Sequence, residues 1–283
     1  MDIKSSKAYR LITAITAKVL FFLFLVVNGQ AFSQSYGEIG IFGGGSYYLG
    51  DLNPGEQFML TQPAFGGFVR HNFNERLAIK GSLSLAMIEG DDAVSGYNPD
   101  RNLNFKSNIT DISAQFEFNL FEYFIGSLKH YFTPYMFAGA GVALYNPKSL
   151  SHDVELRPLG TEGQNLPQYS DRKYGKATFN IPFGIGFKYS INDRMGLSLH
   201  WAMHKTFTDY LDDVSTTYYL NGSIYDPDSQ VPIEVIVSDP TLKHEPNMQR
   251  GNSDNNDWFS MAGLSVSIKI NYGGHKKCLN TFL

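Results

Sequence analysis

The sequence predicts an all-β protein, an eight-stranded antiparallel transmembrane β-barrel. Four segments alternate strictly between apolar and polar or small residues, and four less regular segments accompany them. The links between them run short and long in turn, as they do in bacterial barrels. Beyond residue 33 no apolar stretch approaches the roughly 20 residues that a spanning helix needs.

Residues 1–33 read as an export signal. Lys4, Lys7, Arg10 and Lys18 lead into an apolar run over 19–27, and Ala31, Phe32 and Ser33 form a small-x-small cleavage site before Gln34. No cysteine follows that run, so nothing there can accept a lipid anchor. Cys278, the one cysteine, excludes an internal disulfide and cysteine-rich metal sites. The formal charge is -4 for the whole chain, and removing four bases and one acid with residues 1–33 gives -4 - 3 = -7. Such an acidic protein is a poor partner for nucleic acid.

The first two strands are expected over 37–49 and 64–73. The third places Leu77, Ile79, Leu83, Leu85 and Met87 opposite Ala78, Lys80, Ser82, Ser84 and Ala86. On the fourth, Ile112, Ala114, Phe116, Phe118 and Leu120 oppose Asp111, Ser113, Gln115, Glu117 and Asn119. The fifth is expected over 135–145. The sixth sets Phe179, Ile181, Phe183, Ile185, Phe187 and Tyr189 against Thr178, Asn180, Gly184, Gly186 and Lys188. The seventh sets Met195, Leu197, Leu199, Trp201 and Met203 against Ser198, His200, Ala202 and His204, and the eighth is expected over 258–272. Each regular strand is thus an apolar ribbon backed by a polar or small one.

Long polar links at 89–105, 146–176 and 205–257 alternate with shorter ones at 74–76, 122–133 and 190–194. In bacterial barrels the long loops are extracellular, which puts both termini in the periplasm. Phe73, Phe121, Tyr189 and Tyr272 then line up as a lower aromatic girdle. A soluble sandwich or lipocalin-like barrel is the competing architecture, disfavoured by the unequal loops and girdle.

If the apolar ribbons face lipid, the other faces meet in a narrow lumen. Glu38, Arg70, Lys80, Glu117, Lys188 and Lys269 fall at comparable depth and are expected to form a paired network, with Lys80 and Glu117 as the foremost pair. A gated ion path is the alternative use of these charges. No catalytic site is expected: His200, His204, Asp209, Asp212, Asp213 and Ser215 are sequence neighbours without a nucleophile or zinc motif. The same acids lack the spacing of a calcium loop, and Gly43 to Gly45 lead to no phosphate-binding helix, so neither metal nor cofactor is expected. In the longest link, Asn221-Gly222 signals a hairpin, and 221–239 reads as a loop tip that can be trimmed.

Two segments carry a family likeness: Tyr48-Leu49-Gly50-Asp51-Leu52-Asn53, and the run from Lys205 through Thr208-Asp209-Tyr210-Leu211-Asp212-Asp213-Val214 to Ser215. With residues 134–142 and 183–189 they resemble the signature segments of the PorG-like barrels of Bacteroidota. The resemblance implies a non-enzymatic outer-membrane component of the type IX protein secretion machinery, tied to a periplasmic ring lipoprotein and surrounded by outer-membrane lipid. It marks Asp51, Asp209, Asp212 and Asp213 as rim residues. A stand-alone surface barrel that binds an external ligand through its loops is the alternative. The expected organisation is a signal at 1–33, a barrel at 34–272 and a periplasmic tail at 273–283.

Overall fold

The computed structural model describes residues 35–270; the expected signal, Tyr272, Cys278 and the tail lie outside them. Eight long strands form the wall: β1 (Tyr36–Leu49), β2 (Gln62–Asn72), β3 (Leu77–Asp91), β4 (Asn104–Asn119), β5 (Phe132–Leu144), β6 (Ala177–Ser190), β7 (Met195–Thr206) and β8 (Trp258–Ile270). Each pairs antiparallel with the next in sequence, and β1 pairs with β8, so the sheet closes. A two-residue extension, Pro147–Lys148, adds to the far end of β4.

The closure has a definite stagger. Following paired residues once around, Tyr36 leads through Asn72, Ala78, Glu117, Phe137, Gly184, Ala202 and Met261 back to β1 at Ser46, a shift of 46 - 36 = 10 residues. With standard strand dimensions, eight strands and that stagger require a tilt of roughly 41°. At this tilt the ten steps from Phe179 to Tyr189 on β6 climb roughly 25 Å, the height of the apolar band on an outer-membrane barrel.

That band is present on the outside. Ile41, Phe65, Leu83, Ile112, Phe179, Ile185, Leu199 and Leu264 are all exposed, and they come from seven strands. Phe73, Phe121 and Tyr189, joined by Tyr131 and Phe132, ring the lower end, the end that carries Tyr36 and Ile270. The lower turns are set by their first residue. Asn74 Oδ1 accepts from the Arg76 and Leu77 amides at 2.8 Å, and Asn192 Oδ1 from the Arg194 and Met195 amides at 2.9 Å. An asparagine side chain standing in for a backbone acceptor reverses the chain within a few residues.

At the upper end the links fold into a canopy with its own short helices, α1 (Asp92–Ser95), α2 (Leu156–Leu159) and α3 (Ile233–Ser238). Leu52, Leu103, Leu156, Leu211, Val214 and Val237 from the links pack with Tyr48, Ile88, Phe105 and Phe259 from the strands. One apolar core therefore runs from the upper lumen into the loops. The expected hairpin at Asn221-Gly222 does not form: Asn221 has φ -94° and Gly222 opens a 3-10 turn over Gly222–Ile224. A hairpin turn of that sequence requires positive φ at both central residues. Instead, Tyr218 exchanges backbone hydrogen bonds with Asn247 and Met248. The expected trimmable tip is also shorter, because α3 buries Val235 and Val237.

The β1–β8 seam has an outer clasp. After β1 the chain turns back over the wall, placing Phe58 4.9 Å from the ring of Tyr47 and 5.9 Å from that of Trp201. Tyr47 donates to Gln57 Oε1 at 2.6 Å, and Trp201 Nε1 lies 2.9 Å from both Tyr47 Oη and Ser260 Oγ. Along the seam Gly44 is required by close approach, since a Cβ there would collide with the Ala262 carbonyl.

Candidate functional site

Lumen-facing residues alternate along every strand, and they stack in layers. The lowest layer is a plug. The link over 120–131 turns at Gly126, which has φ +93°, and folds inward so that Tyr123 and Ile125 are buried against Tyr36. Gly126 N donates to Ser190 Oγ at 2.9 Å, fastening the plug to the wall. Lys269 belongs here and not in the charge network that the sequence suggests. Its Nζ donates to the Ile125 carbonyl at 3.0 Å and lies 3.7 Å from the Phe124 ring centroid. The reason is position: near the lower end of β8, its side chain reaches the inserted link before it reaches any lumen carboxylate.

Above the plug the other five predicted charges meet. Glu117 is the hub, in contact with Lys188 Nζ at 2.6 Å, Arg70 Nε at 2.8 Å and Lys80 Nζ at 3.8 Å. Arg70 also reaches Glu38 at 2.7 Å, and Glu38 accepts from Asn72 at 2.8 Å and Ser267 at 2.7 Å. Lys80 makes the longest of the Glu117 contacts, not the leading one. Register explains this: Lys80 stands opposite Gln115, while Ala78 stands opposite Glu117, so the pair is diagonal.

A further layer holds Asp111, buried on β4, which accepts from Asn180 Nδ2 at 2.7 Å and lies 3.8 Å from His204. With Asp111 included, Glu38, Glu117 and Asp111 balance Arg70, Lys80 and Lys188 in formal charge. Phe42, Phe68 and Phe137 fill the space between, with Lys80 5.3 Å from the Phe137 ring centroid. A space of about 20 Å³ lies beside Lys80, Asp111, His200 and His204. It is large enough for one or two waters and too small for a solute path.

The rim acids divide into two groups. Asp212 and Asp257 both lie on the Tyr48 hydroxyl, at 2.5 and 3.0 Å. Burial first, and then a neighbouring carboxylate (Asp51 for Asp212, Asp212 for Asp257), raises the pKa of Asp212 and Asp257 well above the carboxylate range. A hydroxyl carries a single proton, so a protonated carboxyl supplies the second hydrogen bond. Asp209 belongs to this cluster; burial and the neighbouring Asp212 push it up to about 9. Asp51 is also raised by burial, and its Oδ2 accepts from Asn252 N at 2.9 Å.

Asp213 faces the other way. It has φ 68° and accepts from Thr161 and Tyr174, both at 2.5 Å. Beside it Arg250, buried in the canopy, donates to Glu162 at 3.0 Å and to the Asp213 carbonyl at 2.6 Å. Glu162 also accepts from the Ser215 and Thr216 amides. Arg101 holds Asp92 through two nitrogens, at 2.6 and 2.8 Å, and reaches the Arg250 and Asp51 carbonyls. These contacts brace four separate links onto the strand ends. Among the described residues no group of three or more histidine, cysteine or acidic side chains is arranged to hold a metal. Ser215 contacts Asp209, Tyr210 and Glu162, whereas His200 and His204 point into the lumen.

Several of these residues were not singled out from sequence. Asp111, Asn119 and Asn180 stand on polar ribbons that the alternation identifies, so their facing was readable and their pairing was not. Arg101, Glu162 and Arg250 lie in links with no period, and Asp257 looks like an ordinary loop acid.

The molecule is therefore a closed meander barrel, apolar outside, charged and plugged inside, with a braced canopy at one end. The chain belongs to the family described as a domain of unknown function, DUF6089, matched over residues 17–219. No curated protein matches it. It is similar to solved barrels: Ail, the attachment invasion locus protein of Yersinia pestis (10% identity, 84% of this chain and 99% of that one, TM-score 0.40), and the N-terminal barrel domain of Pseudomonas aeruginosa OprF (14%, 84% and 98%, 0.37). A third is neisserial surface protein A (7%, 83% and 97%, 0.40).

Proposed function

We propose that this protein is a non-enzymatic outer-membrane barrel that serves as a structural or assembly component of the type IX secretion machinery. The carrying observation is the apolar belt, roughly 25 Å tall, around a lumen filled by paired charges. A belt of that height matches the hydrocarbon of an outer membrane, and a filled lumen suits a scaffold better than a pore. In this reading the lower end is periplasmic and the canopy extracellular. The secretion role is supported by the signature segments around Asp51 and Asp209 to Asp213. It places the contact with a periplasmic ring lipoprotein on the lower face, where Leu128, at the tip of the plug link, is 97% exposed.

Two photo-crosslinking amino acids test this in living cells, one at Leu128 and one at Tyr225 in the canopy. Fractionation should recover the protein in outer membranes, with gel mobility that changes on boiling. Crosslinks from position 128 to a periplasmic lipoprotein support the scaffold. Crosslinks from position 225 alone, to an external molecule, would replace it with the surface-binding alternative.

A further inference from the structure

The canopy holds a large cleft, of about 780 Å³, bordered by residues 49–54, 97–101 and 249–256. That volume lies within the range of small-ligand sites, roughly 300 to 1,000 Å³. It opens beside Lys205 and Trp258, at the upper ends of β7 and β8, where the outer apolar belt stops.

The lining limits what can bind. Asn98, Asn252, Asn255 and Asn256 border the cleft, the first two with their side-chain oxygens already accepting from the Arg101 and Asp254 amides, and Tyr97 and Trp258 stand at its edge. Among the described residues no hydrogen bond engages the side chains of Asn255 and Asn256, and both residues are exposed. The guanidinium groups in the lining are already committed, Arg101 to Asp92 and Arg250 to Glu162. Lys205, whose Nζ lies 5.6 Å from the Trp258 ring centroid, shares the lining with the carboxylates of Asp51 and Asp254, so the cleft has no excess positive charge with which to hold a phosphate or sulfate.

A purely apolar ligand would leave the Asn255 and Asn256 amides desolvated without partners, which is costly. A carboxamide offers an acceptor and a donor side by side, which matches neighbouring hydroxyls that each donate and accept. Tyrosine and tryptophan add flat surfaces with a polar edge, suited to the C–H face of a sugar ring. We infer that this cleft binds a neutral carbohydrate, either a soluble glycan or the sugar head of a glycolipid in the adjoining leaflet. The inference needs the canopy to be accessible and does not depend on the secretion role.

The test uses the full barrel in phosphatidylcholine nanodiscs. The chain has two tryptophans, so Trp201→Phe leaves Trp258 to report on the cleft. Titration with malto-, cello-, manno- and chitohexaose should give a saturable change in emission with at least one of them, and calorimetry on the wild-type barrel should show the same saturation. Asn255→Ala with Asn256→Ala should weaken binding roughly tenfold, about the loss of two ordinary hydrogen bonds, while the boiling-dependent gel shift is kept. Discs containing glucosyl diacylglycerol form the second arm: a response there alone assigns the ligand to the membrane, and a response to the hexaoses assigns it to solution. Silence toward every neutral sugar by both readouts, or saturation by inositol hexakisphosphate alone, overturns the inference.

Discussion

Replacing Glu117 by glutamine should cost about 3 to 5 kcal/mol of stability, the usual penalty for stripping one partner from a buried ion pair. The substitution keeps size and shape and removes the single charge that faces three cations, at 2.6, 2.8 and 3.8 Å. Arg70 would keep Glu38, but Lys188 would keep only neutral partners, among them the Asn119 oxygen at 3.0 Å and the Tyr135 ring, and Lys80 would lose its one carboxylate contact. Lys80→Met removes only the longest contact and leaves Glu117 paired with Arg70 and Lys188, so it should cost clearly less than Glu117→Gln. The Glu117→Gln, Lys188→Met double variant should recover more than about 1 kcal/mol relative to the sum of the singles, because the stranded ammonium is gone. The assay is reversible urea unfolding in phosphocholine vesicles, followed by tryptophan emission and gel mobility. A Glu117→Gln loss below about 1 kcal/mol, or a Lys80→Met loss equal to it, would refute the hub.

The wall can be tested at adjacent residues: Leu199→Arg puts a charge in the apolar belt and should cost about 2 to 4 kcal/mol in lipid, while Ser198→Ala, inside, should be mild, and equal costs would reverse the facing. Canopy stability should fall as pH rises. Asp209 has a folded-state pKa of about 9 against an ordinary 3.8, so the folded protein binds its proton more tightly than the unfolded chain; that contribution is complete below about pH 4 and is lost toward pH 9. Asp209→Asn should therefore slow proteolytic nicking of residues 207–257 at about pH 8 and flatten its pH dependence; faster nicking would contradict this. Deleting residues 223–231 should leave insertion and the gel shift intact. Extending the cut through 239 removes Val235, Val237 and the Ser238 carbonyl that accepts from Arg250, and should make the canopy protease-sensitive.

The wall was legible because a strand has period two and a membrane barrel must show lipid an unbroken apolar ribbon. Leu83, Phe116, Ile185 and Leu199 declare their side of the sheet without reference to any neighbour. The contact of Glu117 with Lys188 was not legible, since β4 and β6 are not paired and the two side chains meet only across the closed lumen. Lys269 was misplaced for a related reason: alternation says which way a side chain points, not whether a folded-in link will meet it first. The canopy has no period, so Arg250 and Glu162, 88 positions apart, gave no sign of pairing.

The clasp over the β1–β8 seam bears on the order of folding events. Every other pair of neighbouring strands is joined by a link of at most 51 residues, whereas Gly37 pairs with Ile270 across almost the whole described chain. Loop-closure entropy makes the most distant pairing the slowest to form, so the seam is the last part of the wall to zip and the first to open. The contacts of Trp201 with Tyr47 and Phe58, which join the β1 side to the β7–β8 side, come together only after that step. They are absent from the transition state and act almost wholly on the opening rate, as a latch that lengthens the lifetime of the closed barrel without hastening its assembly.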